Sequence, residues 1–274
     1  MKILTVSDLH QSKVLYEQLA TAVRTHQPDV VAVVGDFIDM AEDRHLPLSK
    51  AECAVRLSAL PCREVLLMSG NHDGRGWPVF AAAWRKTGRP LRSLYAQAYS
   101  LGPMVIVGFP CLMTDEFHFV EERESASRDV GRWLAPIMKT FGPSCRFLWL
   151  MHEPPAGTNL SRETGVLAGN IAWTAAIERY APQLVVFGHD HETPIRRNRW
   201  HETMRQTHCI NAGQKLDGPL HYCLIEASFP QPTPSLPTRV SVTAYPWDES
   251  FTPSQPDPAG RTQSTPRTIQ DASS

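Results

Sequence analysis

Val30-Val31-Ala32-Val33-Val34 runs directly into Gly35-Asp36, and this stretch indicates the class of fold. Five consecutive apolar residues are too short for a helix by themselves and are typical of a strand buried on both faces of a parallel sheet. Asp36 then stands where that strand ends. Because ligands in open α/β sheets bind outside the carboxyl ends of the strands, Asp36 is a candidate for chemistry.

Four further predicted strands, over residues 3–6, 64–68, 145–151 and 184–187, also end in polar side chains, and helical periodicity separates several of them. The residues that follow these strands are Asp8 and His10, Asn71 and His72, His152, and His189 and His191. We expect a parallel arrangement to bring them to one edge of the sheet. Histidine, carboxylate and amide oxygen are ligands for borderline divalent ions, and the lack of cysteine in the set argues against a structural zinc site.

Each motif has an ordinary explanation when it is taken alone. Asp8 with His10 is typical of a helix cap beside a surface histidine, and Gly35-Asp36 is typical of a turn. The joint pattern favours a site for two metal ions. Eight ligand positions that share one carboxylate require seven residues, which is the number that this chain offers outside His72.

The ordered motifs Asp8-x-His10, Gly35-Asp36, Gly70-Asn71-His72-Asp73, His152 and Gly188-His189-x-His191 resemble the signature of the calcineurin-like metallophosphoesterases. The resemblance extends from residue 3 to about residue 213. It implies an α/β fold of two packed mixed β-sheets flanked by helices, in four layers.

The resemblance also implies the roles of the site residues. One metal would be held by Asp8, His10, Asp36 and His191, and the other by Asp36, Asn71, His152 and His189. Asp36 would bridge the two ions, and His72 would be the catalytic histidine. We expect Asp73 to orient the backbone or an imidazole rather than bind metal.

Two divalent ions that share a water lower its pKa and clamp the phosphoryl oxygens during in-line attack, so no protein nucleophile is needed. We therefore predict a hydrolase that cleaves a phosphodiester, or a phosphomonoester, by attack of a metal-bridging hydroxide. Manganese is the preferred metal, with iron, zinc, nickel or cobalt as alternatives. The other hypotheses are a metal-dependent nuclease of the same superfamily and a non-catalytic scaffold with this fold.

The best local basic cluster is Arg196, Arg197 and Arg199, followed by Trp200. It is a candidate for binding a substrate phosphate, or a nucleic-acid strand with Trp200 stacked on a base. The alternative is an exposed hairpin tip. Because the whole chain has a formal net charge of -1, a small phosphoester is favoured over nucleic acid as the partner.

Composition predicts a cytoplasmic protein without a membrane segment. Six cysteines are scattered without a CxxC pair in a chain of 274 residues, which favours reduced thiols. The N-terminal stretch reaches Asp8 too early for a signal peptide, and no apolar run is long enough to span a bilayer. Oligomeric state is left open.

The chain is predicted to contain one domain and a tail. Residues 1–229 form the metallophosphoesterase domain, residues 230–247 supply its last edge strand over Arg239 to Tyr245, and residues 248–274 form a poorly ordered tail rich in Pro, Ser and Thr. The stretch from Thr114 to Glu124 is predicted to be a solvated loop, with a lid over the site as the alternative.

Overall fold

The computed structural model describes residues 1–95, 97–101, 104–109, 131–137, 139–141, 146–162, 168–215, 218–228, 239–246 and 249–251. In chain order the strands are β1 (Lys2–Val6), β2 (Val30–Val34), β3 (Glu64–Met68), β4 (Arg92–Ser93), β5 (Gln97–Leu101), β6 (Met104–Gly108), β7 (Arg146–Leu150), β8 (Leu184–Phe187), β9 (His201–Met204), β10 (Thr207–Asn211), β11 (Tyr222–Ser228), β12 (Arg239–Tyr245) and β13 (Glu249–Phe251). The helices are α1 (Lys13–His26), α2 (Lys50–Ser58), α3 (Trp77–Lys86), α4 (described over 131–137), α5 (Ile171–Tyr180) and α6 (Thr193–Arg197).

These strands form two mixed sheets. The first has seven strands in the order β13-β12-β11-β1-β2-β3-β4, and the second has six in the order β5-β6-β7-β8-β10-β9. Strands β1 to β4 are parallel, and β11 to β13 extend that sheet in antiparallel pairs. In the second sheet β6, β7, β8 and β10 are parallel, and antiparallel β5 and β9 form its edges.

Strand β2 shows why its sequence is a continuous apolar run. Val30, Ala32 and Val34 pack in the core between the two sheets, together with residues of the second sheet such as Ile106 and Val186. The alternate residues of β2 face the opposite way and pack against the helices on the outer face of the first sheet. Both faces of β2 are therefore buried, as the sequence predicts.

Helices cover the outer faces of both sheets. Leu15 and Leu19 of α1 and Trp84 of α3 pack on the first sheet. Trp173 and Ile177 of α5 pack on the second sheet. The predicted four-layer arrangement, with helices outside two packed mixed sheets, is confirmed.

Helix starts follow from local sequence. Ser12 caps α1 by accepting a hydrogen bond from the Leu15 N–H, and this places the helix directly after the loop that carries His10. Ser49 and Glu52 form a reciprocal capping box at the start of α2. These caps fix where the loops after β1 and β2 must end.

The strand ends that carry the motifs differ from expectation in one respect. The sequence predicts that all of them meet at one edge of one sheet, but β1, β2 and β3 belong to the first sheet and β7 and β8 to the second. That part of the prediction is wrong because two parallel sets pack face to face. The loops after both sets converge instead, as the His189 N–H to Asp8 bonds and the His152 Nδ1 to Val34 O bond show.

The C-terminal part of the chain also differs from expectation. Strand β12 occupies Arg239–Tyr245 as predicted, but it is not the last strand, because β13 pairs with its outer edge. Glu249–Phe251, assigned from sequence to the tail, therefore belongs to the sheet. The predicted loop from Thr114 to Glu124 lies outside the described residues, as do residues 252–274 of the predicted tail.

Within the residues that the structure describes, no helix combines the length and the apolar character needed to cross a membrane.

Candidate metal centre

The loops after the strands use unusual backbone conformations to turn their polar side chains inward. Five non-glycine residues of these loops have positive φ: Asp8 (56°), His10 (40°), Gln11 (54°), Asp36 (50°) and His189 (67°). Left-handed conformations cost free energy for such residues and persist only where neighbouring contacts hold them. Here the Asp8 N–H donates to Gly35 O and the His10 N–H donates to Asp36 O, so the first two loops hold each other.

Three glycines allow the loops to approach closely. A Cβ at Gly35 would collide with the His152 ring, one at Gly70 with Asp36 Oδ1, and one at Gly188 with Asp8 Oδ2. Each glycine therefore makes room for a predicted ligand rather than for a turn alone. Gly35 additionally has a φ of 86°, which any other residue adopts only with strain.

The predicted ligands converge in two groups. Asp8, His10 and His191 form one, Asp36, His152 and His189 form the other, and the ligand atoms within each group lie within 4.8 Å of one another. Asp36 lies between the groups, because its Oδ2 is 3.0 Å from His152 Nε2 and 3.8 Å from His10 Nε2. Asn71 joins the second group, with Oδ1 3.0 Å from His152 Nε2.

His152 is held in one orientation. Its Nδ1 lies 3.0 Å from Val34 O, the last residue of β2. A backbone carbonyl can only accept, so Nδ1 donates and Nε2 is the atom that faces Asp36 and Asn71. This is the usual way in which a second hydrogen bond orients a metal-binding imidazole.

Charge is balanced within this centre by opposing effects. Burial disfavours the protonated form of His152, but the Asp36 and Asp8 carboxylates outweigh burial and raise the pKa of His152 to about 10. Burial also opposes ionisation of Asp8 and Asp36, yet the surrounding histidines hold the pKa of each carboxyl below its usual value. In the metal-free protein, His152 is therefore protonated and lies beside the ionised carboxylates of Asp8 and Asp36.

His72 lies beside this centre and contacts a further carboxylate. Its ring centroid is 4.8 Å from that of His10, in an edge-to-face arrangement. Asp39 Oδ1 is 3.5 Å from His72 Nδ1, and the other oxygen, Oδ2, is 3.1 Å from His10 Nδ1. The Asp39 carboxylate raises the pKa of His72 above its usual value.

Asp73 holds the backbone of the site. Its two oxygens accept hydrogen bonds from the N–H groups of Asp36 (2.8 Å), Ile38 (3.0 Å) and Gly70 (2.7 Å). Burial and the nearby Asp36 charge raise the pKa of Asp73 to about 7. This geometry agrees with the prediction that Asp73 orients backbone rather than binds metal.

The residues present fit a pair of metal ions. His10 Nε2 is buried and has no hydrogen-bond partner among the described residues, although its Nδ1 is held by Asp39. A buried ring nitrogen left in this state, facing a carboxylate at 3.8 Å, is explained by an ion that both would bind. Imidazole, carboxylate and one amide oxygen form a donor set suited to Mn, Fe, Zn, Ni or Co.

The family assignment comes from comparison with known proteins. The family model described as calcineurin-like phosphoesterase matches residues 1–193, which include every residue of both groups. The chain belongs to this family. As a member, it is a hydrolase that acts on phosphoester bonds, and the family implies a dimetal centre. No curated protein sequence matches the chain.

Solved structures agree on the fold. A dimetal phosphatase from Danio rerio is 13% identical, with a TM-score of 0.61 over 92% of this chain and 98% of that one. The protein TT1561 of Thermus thermophilus is 17% identical, with a TM-score of 0.59 over 82% of this chain and 93% of that one. A phosphopantetheinyl hydrolase from Mycobacterium tuberculosis is 13% identical, with a TM-score of 0.51 over 77% of this chain and 88% of that one.

The structure brings together all eight residues that the sequence places in the centre. The predicted substrate-binding arginines are not members of the two ligand groups: Arg196 and Arg197 form the end of α6, and Arg199 follows it. Among the described contacts, Arg196 pairs with Glu192 and Arg197 donates to Asn159 Oδ1. The hairpin-tip alternative is wrong, since this segment is helical.

Trp200 does not serve as a stacking platform. The chain turns at Asn198, whose φ is 46°, and Trp200 is buried in the core between the sheets. An exposed base cannot reach it, so the predicted stacking on nucleic acid is wrong. A single sequence gives no sign of this turn beyond an asparagine, the residue that most often tolerates such a backbone apart from glycine.

Sequence reasoning missed two residues that organise the site. Asp39 contacts both His10 and His72, and its only sequence signal is its place three residues after Asp36. The other is Asp190, which stands between His189 and His191 in the sequence. Its buried carboxylate accepts hydrogen bonds from the N–H groups of Arg162, Glu192 and Thr193, so it faces away from the centre and holds the backbone next to it.

Proposed function

We propose that this phosphoesterase hydrolyses a phosphodiester, with phosphomonoesters as secondary substrates, at a centre of two divalent ions. The observation that supports the proposal is the position of Asp36 between two groups of histidines and carboxylates, beside the Asp39–His72 pair. We favour a small phosphoester as substrate. Manganese as the metal and a cytoplasmic location stay predictions from the sequence.

The residues that would hold the ions follow from the two groups. Asp8, His10, Asp36 and His191 would bind one ion, and Asp36, Asn71, His152 and His189 the other, with Asp36 shared. When bound, such a pair lowers the pKa of water to give hydroxide near neutral pH and offsets the charge on phosphoryl oxygens.

His72 is proposed as the general acid. Hydrolysis forms a bond from a water oxygen to phosphorus and breaks the bond from phosphorus to the alcohol oxygen, which leaves with a negative charge. Since Nδ1 of His72 faces Asp39, its Nε2 is the nitrogen that gives a proton to this oxygen. Asp39 stabilises the protonated ring, because its carboxylate raises the pKa of His72.

The arginines after His191 are proposed to contact substrate rather than metal. Arg196 is 73% exposed at its side chain, and Arg196 and Arg197 follow the ligand His191 by five and six residues. A nuclease would require an extended basic groove with stacking aromatics. The burial of Trp200 removes the stacking residue that the sequence offered, so the small substrate is favoured over a nucleic-acid strand.

The test compares model esters on metal-stripped protein. Bis(p-nitrophenyl) phosphate and p-nitrophenyl phosphate are assayed with and without added Mn²⁺, for wild type, Asp36→Asn and His72→Ala. His45→Ala is the control, because His45 is exposed in the turn Asp43–His45. We expect wild type and the control to cleave the diester only when metal is present. The rate of diester cleavage should fall at least about a hundredfold in Asp36→Asn and in His72→Ala.

The scaffold hypothesis is tested by the same preparation. Metal content is measured for each variant after loading and gel filtration. A wild-type chain that binds two ions but cleaves neither ester with any of the five metals would overturn the catalytic proposal and favour the scaffold. Asp36→Asn is expected to bind fewer ions than wild type, whereas His72→Ala is expected to keep both.

A further inference from the structure

Arg162, in the loop after β7, and Arg196 of α6 meet at one carboxylate oxygen of Glu192, the residue after the predicted ligand His191. Arg162 Nη2 lies 2.7 Å from Glu192 Oε2, and Arg196 Nη2 lies 2.8 Å from the same oxygen. The three side chains are 38%, 73% and 52% exposed for Arg162, Arg196 and Glu192 respectively. They therefore form a solvent-accessible group, called here the Arg162–Arg196 pair.

This pair has a fixed position relative to the proposed metal ligands. Asp190, buried between His189 and His191 in the sequence, accepts the Arg162 N–H at 2.9 Å through Oδ2. Its other oxygen accepts the N–H groups of Glu192 (3.1 Å) and Thr193 (3.0 Å). One buried carboxylate thus ties the loop that carries Arg162 to the turn that carries His191 and Glu192.

The charge of the pair is not neutralised by its partner. Two guanidinium groups share one carboxylate, so these three side chains together carry a net charge of +1. A guanidinium has five N–H donors, and one shared oxygen accepts only one from each arginine. The geometry is suited to a second anion, since guanidinium groups bind phosphate and carboxylate through paired hydrogen bonds.

We propose that Arg162 and Arg196 bind a second anionic group of the substrate, a phosphate or a carboxylate on the alcohol part of the ester. Glu192 occupies these donors until the substrate anion displaces it, so substrates without a second anion leave the pair closed. The inference rests on the proposed function, because it names the class of phosphodiester that the same centre would prefer.

The test uses two diesters that differ in one group. Thymidine 5′-(p-nitrophenyl phosphate) has no second anion, and its 3′-phosphorylated form carries a phosphate on the sugar. The Mn²⁺-loaded protein is assayed with both, and the ratio of kcat/KM for the 3′-phosphorylated over the unphosphorylated ester is the readout. Chromatography of all products identifies which ester bond is cleaved.

The variants are expected to move this ratio in opposite directions. Arg162→Ala should lower the ratio about tenfold, mainly through KM, because it removes one charged hydrogen-bond donor. Glu192→Gln should raise the ratio, because the neutral amide competes less well for the guanidinium groups. Raised salt should lower the wild-type ratio, since the side chains are exposed.

Arg205→Asn is the matched control. Arg205 pairs with Glu178 at 2.9 Å, is 69% exposed, and lies in the turn before β10, at the end of the strand opposite the centre. Asparagine tolerates the positive φ of 52° there. The control should leave the ratio at the wild-type value.

The outcomes separate this inference from the proposed function. If neither diester is cleaved, the proposed phosphodiesterase function is refuted, and the second-anion site that rests on it is refuted with it. If both are cleaved and the ratio is the same in wild type, Arg162→Ala and Glu192→Gln, the centre is catalytic and the second-anion site is refuted. A fall in the ratio for both Arg162→Ala and Glu192→Gln would indicate a structural role for the pair and would also overturn the inference.

Discussion

Asp39 Oδ1 lies 3.5 Å from His72 Nδ1, and this places a carboxylate directly behind the proposed general acid. The second oxygen of Asp39 is 3.1 Å from His10 Nδ1. One side chain therefore holds a proposed metal ligand by a hydrogen bond and lies in ion-pair contact with a proposed acid. The Asp39 N–H is itself held, because it donates to Gln11 Oε1 at 2.8 Å, and Gln11 is buried next to His10.

Asp39→Asn should shift the alkaline limb of the pH–kcat profile to lower pH. Asp39 raises the pKa of His72, so the protonated ring persists to higher pH in wild type than it would without the carboxylate. Loss of the negative charge lowers that pKa, and the acid is then deprotonated earlier as pH rises. The profile is measured with the diester at saturating Mn²⁺.

His72→Ala separates this effect from a change in metal binding. It should remove the alkaline limb altogether, with metal content equal to that of wild type. An unchanged limb in Asp39→Asn at full metal occupancy would show that His72 is not the group that titrates.

Metal binding should release protons and weaken as pH falls. His152 has a pKa of about 10 in the metal-free protein, so it is protonated at about pH 8, yet an imidazole binds metal only when neutral. Calorimetric titration with Mn²⁺ in two buffers of different ionisation enthalpy should therefore report release of about one proton or more per chain. The affinity should fall about tenfold per pH unit for each proton displaced. A binding heat that does not depend on the buffer would contradict this charge distribution.

Local sequence predicts which polar residues converge, because each proposed ligand follows a strand within four residues. The apolar run Val30–Val34 identifies a doubly buried strand, and Asp36 follows it within two residues. The positive φ values at Asp8 and His189, by contrast, arise from contacts between loops that are far apart in the chain. The residue types predict which side chains are available as ligands. The packing of the loops against one another decides which of their atoms come into contact.

Relationships across the fold were less predictable. The bridging position of Asp39 depends on packing of the loop after β2 against the loops of β1 and β3. Strand β13 was missed because three residues with one aromatic side chain show no periodicity, and its pairing is set by β12. The Arg162–Arg196 pair joins residues 34 positions apart through a glutamate that no motif marks.

Asp73→Ala should destabilise the fold. It leaves the N–H groups of Asp36, Ile38 and Gly70 without their acceptor, and a buried unsatisfied group costs roughly 1–3 kcal/mol. We expect a loss on the order of 3 kcal/mol in urea unfolding of the metal-free protein. Asp73→Asn retains one acceptor oxygen, so its free energy of unfolding should fall by less than that of Asp73→Ala. An alanine variant within about 1 kcal/mol of wild type would show that water or a shifted backbone replaces these bonds.

Gly35→Ala should disrupt the centre far more than Gly88→Ala. Both glycines have positive φ, 86° and 78°, so both substitutions bear the cost of a left-handed alanine, about 1–2 kcal/mol. Only at Gly35 does the new methyl group meet other atoms, namely the His152 ring, whereas nothing lies within 4 Å at Gly88. We therefore expect Gly88→Ala to lower thermal stability modestly and keep two bound ions, and Gly35→Ala to lose metal because His152 must move. Equal metal content in the two variants would show that the loop after β2 adapts without displacing His152.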